Sequence, residues 1–171
     1  MSLVRAGGAV LAVIVAVVLQ VTVFSHLAWD GVVPNVALLV VVAAALVRGP
    51  QFGALIGFAA GVLIDLAPPA DHLAGRWALA LVLVGFVAGL VRQDSRITVP
   101  MMLGTVAAAS FVGTSIFAIT GLLLDDGTTG VVEMLQVIGI GMVFDVALTL
   151  LIVPPTMALF RRIEPPRYVA W

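Results

Sequence analysis

The sequence predicts an all-α polytopic membrane protein with about six transmembrane helices, built as a single integral-membrane domain over residues 1–171. Three observations carry this. Of the residues, 63% are hydrophobic and 10% are charged, whereas a soluble domain has about 25% charged residues; the mean hydropathy is +1.25. The apolar residues fall into long runs, and about 20 of them are enough to span a hydrocarbon core. Almost every charge sits at a boundary between runs, so the loops are short and leave no room for a soluble catalytic domain.

Each element follows from its run. The first covers about 7–27. Arg5 precedes it as in a signal peptide, yet the run is long for one and no small-x-small cleavage site follows, so it reads as a retained helix. The second covers about 34–48 and opens at Pro34, since proline is favoured in a first helical turn. The third, about 51–67, stops at Pro68-Pro69. The fourth spans about 73–91, and the fifth, about 98–124, is expected to bend around its glycines. The sixth covers about 133–160. Pro154 and Pro155 are expected to kink its end, with the tail from Thr156 leaving the membrane or lying along it.

With six spans, Arg5, Arg48, Arg92, Arg96, Arg161, Arg162 and Arg167 share one side and Arg76 alone falls on the other. The opposite side collects Asp30, Asp71, Asp125, Asp126 and Glu133. Arginine and lysine accumulate on the cytoplasmic side of membrane proteins, which places both termini there. Trp29, Trp77, Tyr168 and Trp171 lie near the expected interfaces, as an aromatic belt would.

Two carboxylates break the pattern. Asp65 and Asp145 lie within apolar runs, where a central charge costs roughly 2.5–3.5 kcal/mol on insertion scales. Asp65 ends a row of Gly53, Gly57 and Gly61, spaced by four and therefore on one helical face. Small residues at that spacing let two helices approach closely in lipid. The row is either a partner groove or an internal packing face, with Ile56 off the row as a contrast. Asp65, close to Pro68-Pro69, either serves that face or reaches interfacial water. Asp145 follows Gly141 near mid-membrane, and a neutral or hydrogen-bonded carboxyl is expected there; Gln20 is a candidate partner.

Catalytic patterns are missing. There is no cysteine, which excludes a disulfide framework and a thiol nucleophile. His26 and His72 are far apart and make a poor metal site. Ser25, His26 and Asp30 have triad residue types in positions that point apart. Intramembrane aspartyl proteases carry Tyr-Asp and Gly-x-Gly-Asp; here Ile64-Asp65 and Phe144-Asp145 stand instead, and Met142 follows Gly141. Neither a G-x-S-x-G elbow nor a phosphate loop is present. A non-enzymatic protein without a cofactor is expected.

The stretch PNVALLVVVAAALVRGPQFGALIGFAAGVLIDLAPPADHLAGRWAL resembles the rod-shape-determining protein MreD family. Shared features are a Pro-initiated short second helix (Pro34), a glycine-rich third helix ending in aspartate (Gly53, Gly57, Gly61, Asp65), and a small loop with a glycine before the next span (Gly75). They cover about residues 34–79; Asp145 has no counterpart in the motif. The resemblance implies a subunit of the bacterial cell-elongation machinery in the cytoplasmic (inner) membrane. Its implied partners are an MreC-like protein, the RodA–class B penicillin-binding protein synthase complex and the MreB-linked machinery, with membrane lipids around it and no nucleic acid. It also implies a fold similar to the substrate-binding subunits of energy-coupling-factor transporters, which supplies the competing function, uptake of a vitamin-like molecule. A vitamin pocket needs convergent polar groups. The spans offer Gln20, Thr22, Ser110, Thr114, Ser115, Thr120 and Thr149, with no Asn, Lys, Arg or His expected deep in the membrane.

Overall fold

A computed structural model describes residues 3–68, 72–91, 97–124 and 130–163. It contains six α-helices: α1 (Leu3–Thr22), α2 (Val36–Arg48), α3 (Pro50–Leu66), α4 (Arg76–Leu90), α5 (Val99–Leu123) and α6 (Val131–Arg162). Among the described residues the only β pairing is an isolated bridge between Trp29 and Val32. By length and composition α5 and α6 could cross a membrane, and the other four are shorter apolar helices.

The architecture is organised around α2. Val36 through Val47 are all buried. The segment is apolar on every side, as suits a helix held in a protein core or in lipid. Here α1, α3, α4, α5 and α6 all pack against it. A single residue, Gly49, turns the chain into α3. Its φ of 90° lies in the left-handed region that glycine enters without a Cβ clash, and Pro50 then begins the next helix.

Helices α3 and α4 form the tightest pair. A Cβ on Gly53 would overlap the carbonyl of Gly85, one on Gly57 that of Leu81, and one on Gly61 the backbone of Ala78. Gly89 likewise leaves no space against Pro50. The glycine row is therefore an internal packing face along its whole length. The two backbones touch because neither side carries bulk there, which is how helices gain van der Waals contact in lipid. Ile56, off the glycine row, is also buried, whereas Leu55, Phe58 and Leu66 are outward residues of α3.

Four boundaries differ from expectation. The first helix ends at Thr22, and Phe24–Leu27 forms a short 3₁₀ turn. From there the chain turns back through Asp30 and Gly31, both at positive φ, with Trp29 and Val32 exchanging backbone hydrogen bonds of 3.0 and 2.9 Å. Asp-Gly suits a turn that needs positive φ at both central residues. Helix α2 starts at Val36, so Pro34 precedes it instead of opening it. Helix α4 starts at Arg76, later than expected, because Gly75 is left-handed at its N-cap. Helix α6 continues through Pro154 and Pro155 to Arg162, so Thr156 to Arg162 belong to the helix and not to a surface tail. Asp71, Arg92, Arg96, Asp125, Asp126, Arg167, Tyr168 and Trp171 lie outside the described residues.

Candidate functional site

Five buried polar side chains, Asn35, Ser110 and Asp145 in one group and Asp65 and Arg76 in another, gather at the starts of two helices. The first N–H groups of a helix have no partner within it, and away from water each must find one elsewhere. At the start of α2 the donors are met one by one. Val36 N–H donates to Pro34 O at 3.2 Å. Ala37 N–H donates to Gln20 Oε1 at 3.0 Å and Leu38 N–H to Asn35 Oδ1 at 3.0 Å. The N–H of Asn35 itself donates to Asp145 Oδ1 at 2.8 Å. The other carboxylate oxygen of Asp145 accepts from the Ser110 hydroxyl at 2.7 Å. Asp145 thus joins α6, α2 and α5. Gln20 is not its hydrogen-bond partner; both residues serve the same helix end.

The start of α4 is held by a carboxylate from another helix. Asp65 Oδ2 accepts from Gly75 N–H at 2.8 Å and Ala78 N–H at 3.0 Å, and Oδ1 accepts from Trp77 N–H at 3.1 Å. Asp65 is 3% exposed, so it does not reach interfacial water. A negative group also suits the positive end of the α4 dipole. His72 Nδ1 lies 3.7 Å from Asp65 Oδ1.

Beside this cap, Arg76 ties α4 to α5. Its Nη2 donates to Phe117 O at 2.6 Å, and its guanidinium lies 3.8 Å from the centre of the Phe117 ring. Trp77 stacks on the same ring at 4.5 Å and His72 meets it edge-on at 5.1 Å. A side chain at Gly121 would overlap the Arg76 guanidinium. Arg76, the one arginine expected on the opposite side, is thus buried in a cation–π and hydrogen-bond site.

Each residue singled out from the sequence now has a place. Gly53, Gly57 and Gly61 line the α3–α4 contact, with Asp65 and Gly75 at its end. Pro34 is buried and accepts from Val36. Asp145 lies in the separate cluster at the start of α2. Sequence reasoning missed Asn35 and Arg76, both buried, where no asparagine or arginine was expected. An Asn directly before an apolar run is an N-cap signal, and it was obscured by assigning Pro34 to the first turn. Several hydroxyls named as potential ligand groups bond within their own helices instead: Thr22 to Val18 O, Thr120 to Ile116 O and Thr149 to Asp145 O.

Chemically, both carboxylates are engaged as acceptors at helix ends, and they serve different ends. Among the described residues no three His, Asp or Glu side chains converge as a metal site would require. What the arrangement does is hold helix starts inside an apolar bundle. A lateral groove of about 330 Å³ opens between α1 and α6, with Val36 and Val40 of α2 in its lining. Comparison of the chain with protein-family models, curated proteins and solved structures gave no match.

Proposed function

We propose that this chain is a six-span protein of the bacterial cytoplasmic membrane with both termini in the cytoplasm, and that it is an MreD-type subunit of the cell-elongation machinery. In this reading it is a non-enzymatic scaffold. It helps to assemble an MreC-like protein with the RodA–class B penicillin-binding protein synthase complex and the MreB-linked machinery, for growth of the lateral wall.

The observation that carries the reading is where the polar groups go. Asp65 and Asp145, the two residues with most claim to chemistry, accept from five donors in all, four of them backbone N–H groups at helix starts and one the Ser110 hydroxyl. A scaffold needs rigid helices and an apolar outer surface, and this use of the acids supplies the first. The resemblance in the segment from Pro34 to Gly75 supports the same role, because that segment holds the central helix α2 and the glycine-faced helix α3. The vitamin-uptake reading asks for convergent polar groups, whereas the Thr22, Thr120 and Thr149 hydroxyls are engaged by their own helices.

Depletion of the protein in its rod-shaped host, combined with affinity purification of a tagged copy, tests the proposal. Rounding of the cells and recovery of an MreC-like protein with a penicillin-binding protein are expected. Normal rods, with recovery of a transporter ATPase in place of wall-synthesis proteins, would replace it with the uptake reading.

A further inference from the structure

The groove between α1 and α6 has the form of a lipid site. The two helices meet near Gly8 and Ile163, where a Cβ on the glycine would lie 3.6 Å from the isoleucine. Beyond that point they are separated by a groove lined by Ala12, Leu19, Val40, Leu151 and Leu159, among others, with a volume of about 330 Å³. The lining is aliphatic apart from Phe24 and Thr156, and the Thr156 hydroxyl donates to Ile152 O at 2.7 Å. The groove therefore asks for no hydrogen bond from its occupant.

Size and charge indicate what that occupant is. A helix about 10 Å across sweeps on the order of 1,000 Å³ over a groove about 12 Å long. Only isolated side chains of a docking helix would enter a space of this size, whereas a hydrocarbon chain can lie along it. The arginine end supplies the second observation. Arg162 follows Leu159 by three residues and so continues its flank of α6; it is exposed. Arg161 follows the buried Met157 by four residues and lies on a different flank. Basic groups at the ends of membrane helices attract anionic headgroups.

We propose that this groove binds one acyl chain of an anionic phospholipid, with its phosphate held at Arg162. The proposal requires that the bundle sits in a membrane. It does not depend on the role in cell elongation.

The probe is phosphatidylglycerol, set against phosphatidylcholine of the same acyl chains. Native mass spectrometry of the full chain released from mixed micelles should show one retained phosphatidylglycerol, favoured over phosphatidylcholine. Arg162→Gln should lower that preference by about fivefold, the effect of one interfacial arginine, and Arg161→Gln should cost less than half as much. Leu159→Trp, at an exposed position, should fill the groove and lower retention without unfolding the protein. Phosphatidylglycerol carrying a photoreactive acyl chain should label α1 and α6 at residues lining the groove. Equal retention of the two lipids, insensitivity to Arg162→Gln, or labelling spread evenly around the bundle would overturn the proposal. So would crosslinks from Val15 or Leu151 to a partner protein that exclude the lipid.

Discussion

Asp65 shows how much one side chain can carry in an apolar bundle. Its two oxygens take three backbone donors at the start of α4. Leaving a buried donor unsatisfied costs about 1–3 kcal/mol, so Asp65→Ala should destabilise the protein by roughly 3 kcal/mol or more. Denaturation by SDS in mixed micelles measures this. The effect should be on folding, and any loss of partner binding should follow from it. Of the roles the sequence left open, Asp65 thus serves the internal face between α3 and α4. An Asp65→Ala protein with unchanged unfolding and lost partner recovery would move it to a partner groove instead. Asp145 belongs to the same class: Asp145→Leu should orphan Asn35 N–H and the Ser110 hydroxyl, whereas Asp145→Asn keeps an acceptor for one of them. The leucine variant should be the less stable of the two in the same assay, and equal stabilities would remove the capping role.

At the scale of elements, the α3–α4 hairpin was the most legible part of the sequence. Glycines spaced by four before a Pro-Pro stop gave the helix, its face and its end. What the sequence left open was the surface that the face meets, because spacing by four is the same for an internal and an external partner. Backbone overlap at Gly53, Gly57 and Gly61 decides it in favour of α4. Gly57→Leu or Gly61→Leu should therefore separate the hairpin at a cost of about 3 kcal/mol or more, seen as loss of folded protein in gel filtration. Leu55→Ala or Phe58→Leu, on the outward side, should be mild. A folded Gly61→Leu protein would show that α3 and α4 can part without loss. The start of α2 was less legible. Its caps come from Gln20, Asn35 and Asp145, residues brought together only by tertiary packing, and Pro34 drew the predicted boundary too early. Arg76 was hidden for a related reason. It lies near the start of the expected fourth span, and nothing local in the sequence reveals that Gly121 on α5 makes space for a guanidinium.

At the scale of the molecule the open question is how the bundle sits in a membrane, and the charges give a testable answer. If all six helices cross, α1, α3 and α5 run one way and α2, α4 and α6 the other in topological sense. The turn at Asp30, the cap region at Leu73 and the end of α5 at Leu124 then share one side. Gln51, Val99 and Arg161 share the opposite side. The side of Gln51 and Arg161 carries the arginine excess, and such an excess orients membrane proteins with that side in the cytoplasm. Helix α2 is the critical case. It has 13 residues, about 20 Å at 1.5 Å per residue, and so cannot cross a core of about 30 Å by itself. In a six-span arrangement the segment from Phe24 to Asn35 would supply the remaining depth, and caps from Gln20 and Asp145 would satisfy the start of α2 below the surface. The chain has no native cysteine, so single cysteines can be placed at these six positions and labelled with a membrane-impermeant maleimide in intact spheroplasts. Asp30→Cys, Leu73→Cys and Leu124→Cys should react before lysis, and Gln51→Cys, Val99→Cys and Arg161→Cys only after it. Cysteine in place of the buried Pro34 should stay unlabelled in both conditions, because that residue lies at depth within the bundle. Labelling of Arg161→Cys from outside would leave the chain with an odd number of crossings, and rapid labelling at Pro34 would place the start of α2 at the surface, where its caps would have no purpose.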